Sequence, residues 1–204
     1  PTTNEYGPEG LIASVTSLTT LYELYCLALL HDHIQHLGYD LASYHHDPTS
    51  GVPNRPHRIL DGTEFPNVFT YSHAALPELT LHYEPRITRH PHHTTGLACV
   101  SARTSFLTPD IVITTQEAVI ICDAKFTPTA PLELLPEATL KYLHGLAAAT
   151  KTIAGLYLLH YGARAQALYY HDRPIIPAIA TLPVHPHNHS DLTTVLTQHL
   201  RPHN

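Results

Sequence analysis

Apolar positions recur at helical spacing over residues 14–37. Leu18, Leu21, Tyr22, Tyr25, Leu27, Leu29, Leu30 and Ile34 fall largely at i, i+3, i+4 and i+7, which predicts an amphipathic helix. Thr16 or Ser17 stands where an N-cap belongs, and Gly38 is placed to end the helix. Residues 44–66 carry Pro48, Gly51, Pro53, Pro56 and Gly62 among many polar groups, the composition of a long loop. Two short extended runs follow, Val68–Ser72 and Leu79–Tyr83, then a His- and Pro-rich loop over residues 85–95. Ile111–Thr114 and residues 118–126 are β-branched and almost unbroken in apolar character, as central strands covered on both faces are. Pro136 then precedes an Ala- and Leu-rich helix over residues 137–150. Residues 155–161 and 165–171 read as strands, and 175–182 as a strand interrupted by Pro177, hence an edge or a bulge. Ser190 or Asp191 caps a last helix to about Leu200. Helices alternating with strands predict an α/β layer architecture.

Composition bounds the function. At 204 residues the chain is one domain: an arm over 1–13, a core over 14–161, and C-terminal strands and a helix over 162–204. Hydrophobic residues make up 43% and charged residues 14%, which excludes a disordered chain. No apolar run is long enough to span a membrane. Pro at position 1 and the lack of Met suggest a fragment, or a chain whose initiator was removed. The net charge of −6 argues against a generic polyanion binder, although 19 His add positive charge below neutrality. Cys26, Cys99 and Cys122 are far apart in apolar runs and read as buried free thiols. With no signal segment, the expected location is cytoplasmic.

The stretch from Thr108 to Phe126 carries the candidate chemistry. Side chains alternate along a strand, so Asp123 and Lys125 share a face. A hairpin turning through Gln116 and Glu117 sets Asp110 directly across from Asp123, on the same side. A one-residue change in the turn would move Asp110 to the wrong face. Two adjacent carboxylates repel unless a cation lies between them. Mg²⁺ or Mn²⁺ suits such oxygen ligands, with the Ala124 carbonyl as a further donor. Lys125 can then orient or deprotonate an attacking water in phosphodiester hydrolysis. The plainer alternative is a strand end in which Lys125 pairs with Asp123 or Asp110. Against it, the flanking strands are nearly all apolar, where unpaired charge is costly. Lys125 is also one of only three lysines in the chain, with Lys141 and Lys151.

Pro109-Asp110, a 12-residue gap and Asp123-Ala124-Lys125 resemble the PD-(D/E)XK nuclease signature. Residues 19–41 are similar to the helix that precedes the core of McrC-like restriction nucleases, and residues 140–149 to their post-core helix. The resemblance implies a restriction-endonuclease-like core, a central mixed β-sheet flanked by helices in the order α-β-β-β-α-β. It implies Mg²⁺-dependent DNA cleavage in restriction or anti-phage defence, an AAA+ NTPase partner and a possible homo-oligomer. No partner-binding region is visible in the sequence. In this resemblance Asp110 and Asp123 correspond to metal ligands, Lys125 to the catalytic lysine and Glu23 to the first-helix acid that completes the metal shell. Glu23 also suits a surface or helix-pairing role. Lys141 and Tyr142 are candidates for phosphate or active-site support, or members of an ordinary amphipathic helix; His144 is a weaker candidate. Other readings are a repair, resolvase or RNA-cleaving nuclease of the same superfamily, or a noncatalytic nucleic-acid- or metal-binding module.

Arg86, Arg89, Arg103, His90, His92 and His93 form a basic cluster suited to phosphate contacts or to a solvated loop. His31/His33/His36, His90/His92/His93 and His185/His187/His189 suggest metal, but none contains a Cys. Compositional bias explains them most simply, with a zinc storage or sensor protein as the alternative.

Overall fold

The computed structural model describes residues 18–49, 66–171 and 176–200. In chain order the elements are α1 (Leu18–His36), β1 (Asp40–His45), β2 (Val68–Ser72), β3 (Leu79–Tyr83), β4 (Ile87–Thr88), β5 (Leu97–Cys99), β6 (Phe106–Leu107), β7 (Ile111–Thr114) and β8 (Ala118–Lys125). There follow α2 (Leu135–Ala138), β9 (Leu146–Ala148), β10 (Thr152–His160), β11 (Leu168–Tyr169), β12 (Ala178–Pro183) and α3 (Ser190–Leu200). Eight strands form one mixed sheet in the order β1-β2-β3-β7-β8-β10-β12-β11. The pairs from β1 to β8 are antiparallel, β8, β10 and β12 run parallel, and β11 closes the far edge antiparallel.

Alternation along the central strands divides the core between two faces. One face buries Ile111 and Ile113 of β7 and Ile120, Cys122 and Ala124 of β8 against Leu27, Leu30 and Ile34 of α1 and Leu192, Val195 and Leu196 of α3. The other buries Val112, Val119, Ile121, Leu156 and Leu158 against Leu135, Ala138 and Tyr142. Each fully buried aliphatic side chain contributes about 1.5–3 kcal/mol of transfer free energy. This two-faced burial explains why β7 and β8 are apolar almost throughout. Cys26, Cys99 and Cys122 are buried free thiols.

Helix α1 ends where expected: Gly38 takes φ +94°, and its N–H donates to the Gln35 carbonyl. The proposed caps Thr16 and Ser17, the 1–13 arm and most of the 44–66 loop lie outside the described residues. Four expectations are corrected. The start of that loop, Tyr44 and His45, ends strand β1, which pairs with β2. The helix expected over 137–150 is a short one; α2 passes into a π-turn at Thr139–Leu143, and the chain then extends as β9 against β5. The reason is Gly145: a Cβ there would lie 2.1 Å from the Lys141 carbonyl oxygen, an approach that only glycine permits. Of residues 165–171 only Leu168–Tyr169 are strand. Finally, Pro177 precedes β12 rather than interrupting it, and β12 is flanked on both sides by β10 and β11.

Candidate active site

The β7–β8 hairpin turns through Gln116 and Glu117, with the Thr115 N–H donating to the Ala118 carbonyl. Ile111 pairs with Cys122 and Thr114 with Val119, the expected register. Continued by one residue, it sets Asp110 opposite Asp123. The Ala124 N–H donates to Asp110 Oδ2 at 2.7 Å. Ala124 therefore engages Asp110 through its amide; that contact does not involve the carbonyl expected to serve a metal. Asp110 is also fixed through its backbone, its carbonyl accepting the Glu84 N–H at 2.8 Å. Glu84 follows β3 with φ +46°, a left-handed conformation uncommon outside glycine and asparagine.

Asp123 is buried and its two oxygens have different partners. Tyr142 donates its hydroxyl to Oδ1 at 2.8 Å, and Lys125 Nζ lies 2.5 Å from Oδ2. Lys141 Nζ donates to the Tyr142 oxygen at 2.8 Å, extending the chain of contacts to the surface. Glu23, buried on α1, accepts a hydrogen bond from the Tyr83 hydroxyl at 3.2 Å. Burial, then the charges of Asp123 and Glu23, holds the Asp110 carboxyl well above its usual range; Lys125 and the Ala124 N–H oppose this. Burial pulls the Lys125 ammonium down, but Asp123, Asp110 and Glu23 together outweigh it and raise its pKa. Burial first, then Asp123 and Asp110, raises the Tyr142 phenol, which stays protonated as a donor.

Glu23, Asp110, Asp123, Lys125 and Tyr142 therefore form one electrostatic unit drawn from α1, from the residue that leads into β7, from β8 and from the turn after α2. Its surplus carboxylate charge, which adds to burial in raising Asp110, suits a hard divalent cation. Asp110, Asp123 and Glu23 do not bring their oxygens within 4.8 Å of one another; among the described residues the set that gathers this closely is Asp47, His92 and His93. Beside the site, Phe126 is 44% exposed and packs on Tyr22 and Tyr161 at ring-centroid distances of 5.7 and 5.3 Å.

The remaining candidates disperse. Arg86 stacks its guanidinium 4.4 Å over the Phe106 ring. Arg89, Arg103, His90 and His144 are exposed. His31 pairs with the Tyr71 hydroxyl, His36 with the Asp32 carbonyl, and His33 packs on His189, so the three side chains are directed to different partners. Two groups escaped the sequence reading. His160 is in register with Lys125 on the neighbouring strand, fully buried, with no hydrogen-bond partner for either ring nitrogen. Its one signal was a histidine inside an apolar strand. The other is Asp47, 45 positions before His92 in the sequence. Nearby His82 is buried and its pKa pushed down to about 3, by burial first and then by its electrostatic interaction with His92 and Lys151. No protein-family model matches the chain, and a comparison with curated proteins finds no match.

Proposed function

We propose that the chain is a metal-dependent nuclease hydrolysing DNA phosphodiester bonds, on a core of the restriction-endonuclease-like type. One observation carries this reading: Asp110 and Asp123 meet across the β7–β8 register with Lys125 bonded to Asp123 and Glu23 acting on Asp110 and Lys125. A run of antiparallel strands behind α1, followed by a crossover to parallel β10, supports the fold assignment. In this reading Asp110, Asp123 and Glu23 would hold Mg²⁺ or Mn²⁺, which supplies Lewis acidity to the phosphoryl oxygens. Tyr142 holds the Asp123 carboxylate in orientation through Oδ1, and Lys141 in turn holds the Tyr142 hydroxyl. Lys125, protonated beside Asp123, offers its ammonium to the developing phosphoryl charge or orients the attacking water. Restriction or anti-phage defence, a cytoplasmic location, an AAA+ NTPase partner and a homo-oligomer belong to the same proposal, on the resemblance alone. A metal-binding module is the second reading, favoured by the Asp47, His92 and His93 grouping.

Plasmid DNA incubated with the protein and Mg²⁺ or Mn²⁺ is expected to be nicked or cut. Asp123→Ala and Lys125→Ala, folded by circular dichroism, should each lose at least about 100-fold in rate. Undiminished cleavage in both variants would remove these residues from the mechanism, and no cleavage by the wild type under any divalent ion would favour the binding module.

A further inference from the structure

A second cluster lies away from the β7–β8 hairpin, where the chain leaves β1 and passes the loop between β4 and β5. Asp47 Oδ2 lies 3.4 Å from His92 Nε2 and 4.0 Å from His93 Nε2. Two donors at opposite corners of a tetrahedral zinc site, with bonds near 2.0–2.1 Å, stand about 3.3 Å apart. The Asp47–His92 spacing is thus close to that of a formed site, and all three ligand atoms lie within 4.8 Å of one another.

The ligands are also held in advance. Asp47 Oδ1 accepts the Thr49 N–H at 2.9 Å and the Thr49 hydroxyl at 2.7 Å, which leaves Oδ2 turned toward the imidazoles. The Asp47 backbone N–H donates to Asn67 Oδ1 at 2.7 Å. The His92 N–H donates to the Leu97 carbonyl, and the Gly96 N–H to the His92 carbonyl. Gly96 adopts φ +70°, which glycine takes readily. His92 Nδ1 accepts the Thr95 N–H at 3.4 Å and lies 3.2 Å from the Thr94 hydroxyl, which fixes the ring with Nε2 facing Asp47. The His92 and His93 rings stack at 4.8 Å.

Unpaired buried polar atoms concentrate here. Asp47 Oδ2 and His92 Nε2 have only each other, at 3.4 Å, both nitrogens of His82 have no hydrogen-bond partner, and His82 packs edge-on to His92 at 6.1 Å. Such groups are costly without compensation. We propose that Asp47, His92 and His93 bind one zinc ion, with water at the fourth position, as a structural clip. Two imidazoles and a carboxylate are a borderline-soft donor set that favours Zn²⁺ over Mg²⁺. The clip joins the end of edge strand β1, whose side chains are mostly exposed, to the loop over residues 89–96. It stands independently of the nuclease reading.

The test uses the untagged chain, stripped with a chelator and titrated with Zn²⁺ against a chromophoric competitor. One ion per chain is expected, with an increase in melting temperature of about 5–10 °C at 100-fold excess over Kd. His93 is exposed, so His93→Ala should leave the zinc-free melting temperature unchanged, weaken zinc at least about tenfold, and abolish the increase. Lys125→Ala should bind zinc as the wild type does. The proposal is overturned by the absence of a stoichiometric ion. Wild-type affinity in both His93→Ala and His92→Gln would overturn it too, since the ion would then lie on other histidines.

Discussion

Asp110 shows how one side chain can be placed at a cost to the fold. Its folded-state pKa lies above the unfolded value near 4, because burial and the charges of Asp123 and Glu23 disfavour ionisation. Between those two values the folded chain holds a proton that the unfolded chain has released. Stability therefore falls as pH rises from about 4 through the folded pKa, and the full cost is present above it. Asp110→Asn removes that cost. Without divalent metal, the variant is expected to unfold at higher urea than wild type at pH 7, by about 1.4 kcal/mol for each unit of the shift, and to show no advantage at pH 4. Cleavage should be lost in the same variant. Equal urea midpoints at pH 7 would mean that Asp110 is already relieved by its neighbours.

Among the elements, β7 and β8 were legible because continuous β-branched runs have few alternatives, and the hairpin register followed from the turn. Residues 137–150 were misread for a physical reason. Leu and Ala favour helix in isolation, but β5 offers a partner edge to Leu146, Ala147 and Ala148, and pairing overrides propensity. Gly145 enforces the change of direction. Gly145→Ala brings a Cβ against the Lys141 carbonyl and, at 2.8 Å, against Leu107 Cδ1. It is expected to destabilise the chain by about 1–3 kcal/mol in urea unfolding. It should also impair cleavage, because Lys141 and Tyr142 lie in the turn it distorts. A neutral effect on both would show that the turn relaxes at no cost.

At the scale of the whole molecule, the histidine excess acquires a consequence. Burial lowers the pKa of His33, His92 and His160, and takes His82 down to about 3. These rings stay neutral in the fold while the unfolded chain protonates them near pH 6.5. Below that value the unfolded state binds more protons, so stability is lost as pH falls toward each folded pKa. Each fully buried ring contributes up to about 1.4 kcal/mol per pH unit. Asp110 acts in the opposite sense above pH 4 but is a single group. The urea midpoint is therefore expected to drop steeply between pH 7 and pH 5, and His82→Gln with His160→Gln should flatten the profile. A level profile in the wild type would contradict this.

Sequence alone determined the central hairpin, the first and last helices and the convergence of Asp110, Asp123 and Lys125, because strand alternation and turn length are local rules. Glu23 and Tyr142 were singled out by resemblance, but their coupling to Asp123 and Asp110 required α1 and the turn after α2 to pack at the hairpin's end. The Asp47, His92 and His93 grouping was decided by tertiary structure alone. Its members come from segments that sequence spacing does not relate, and β1, whose last two residues fall in the segment expected to be loop, is what brings Asp47 to the histidines.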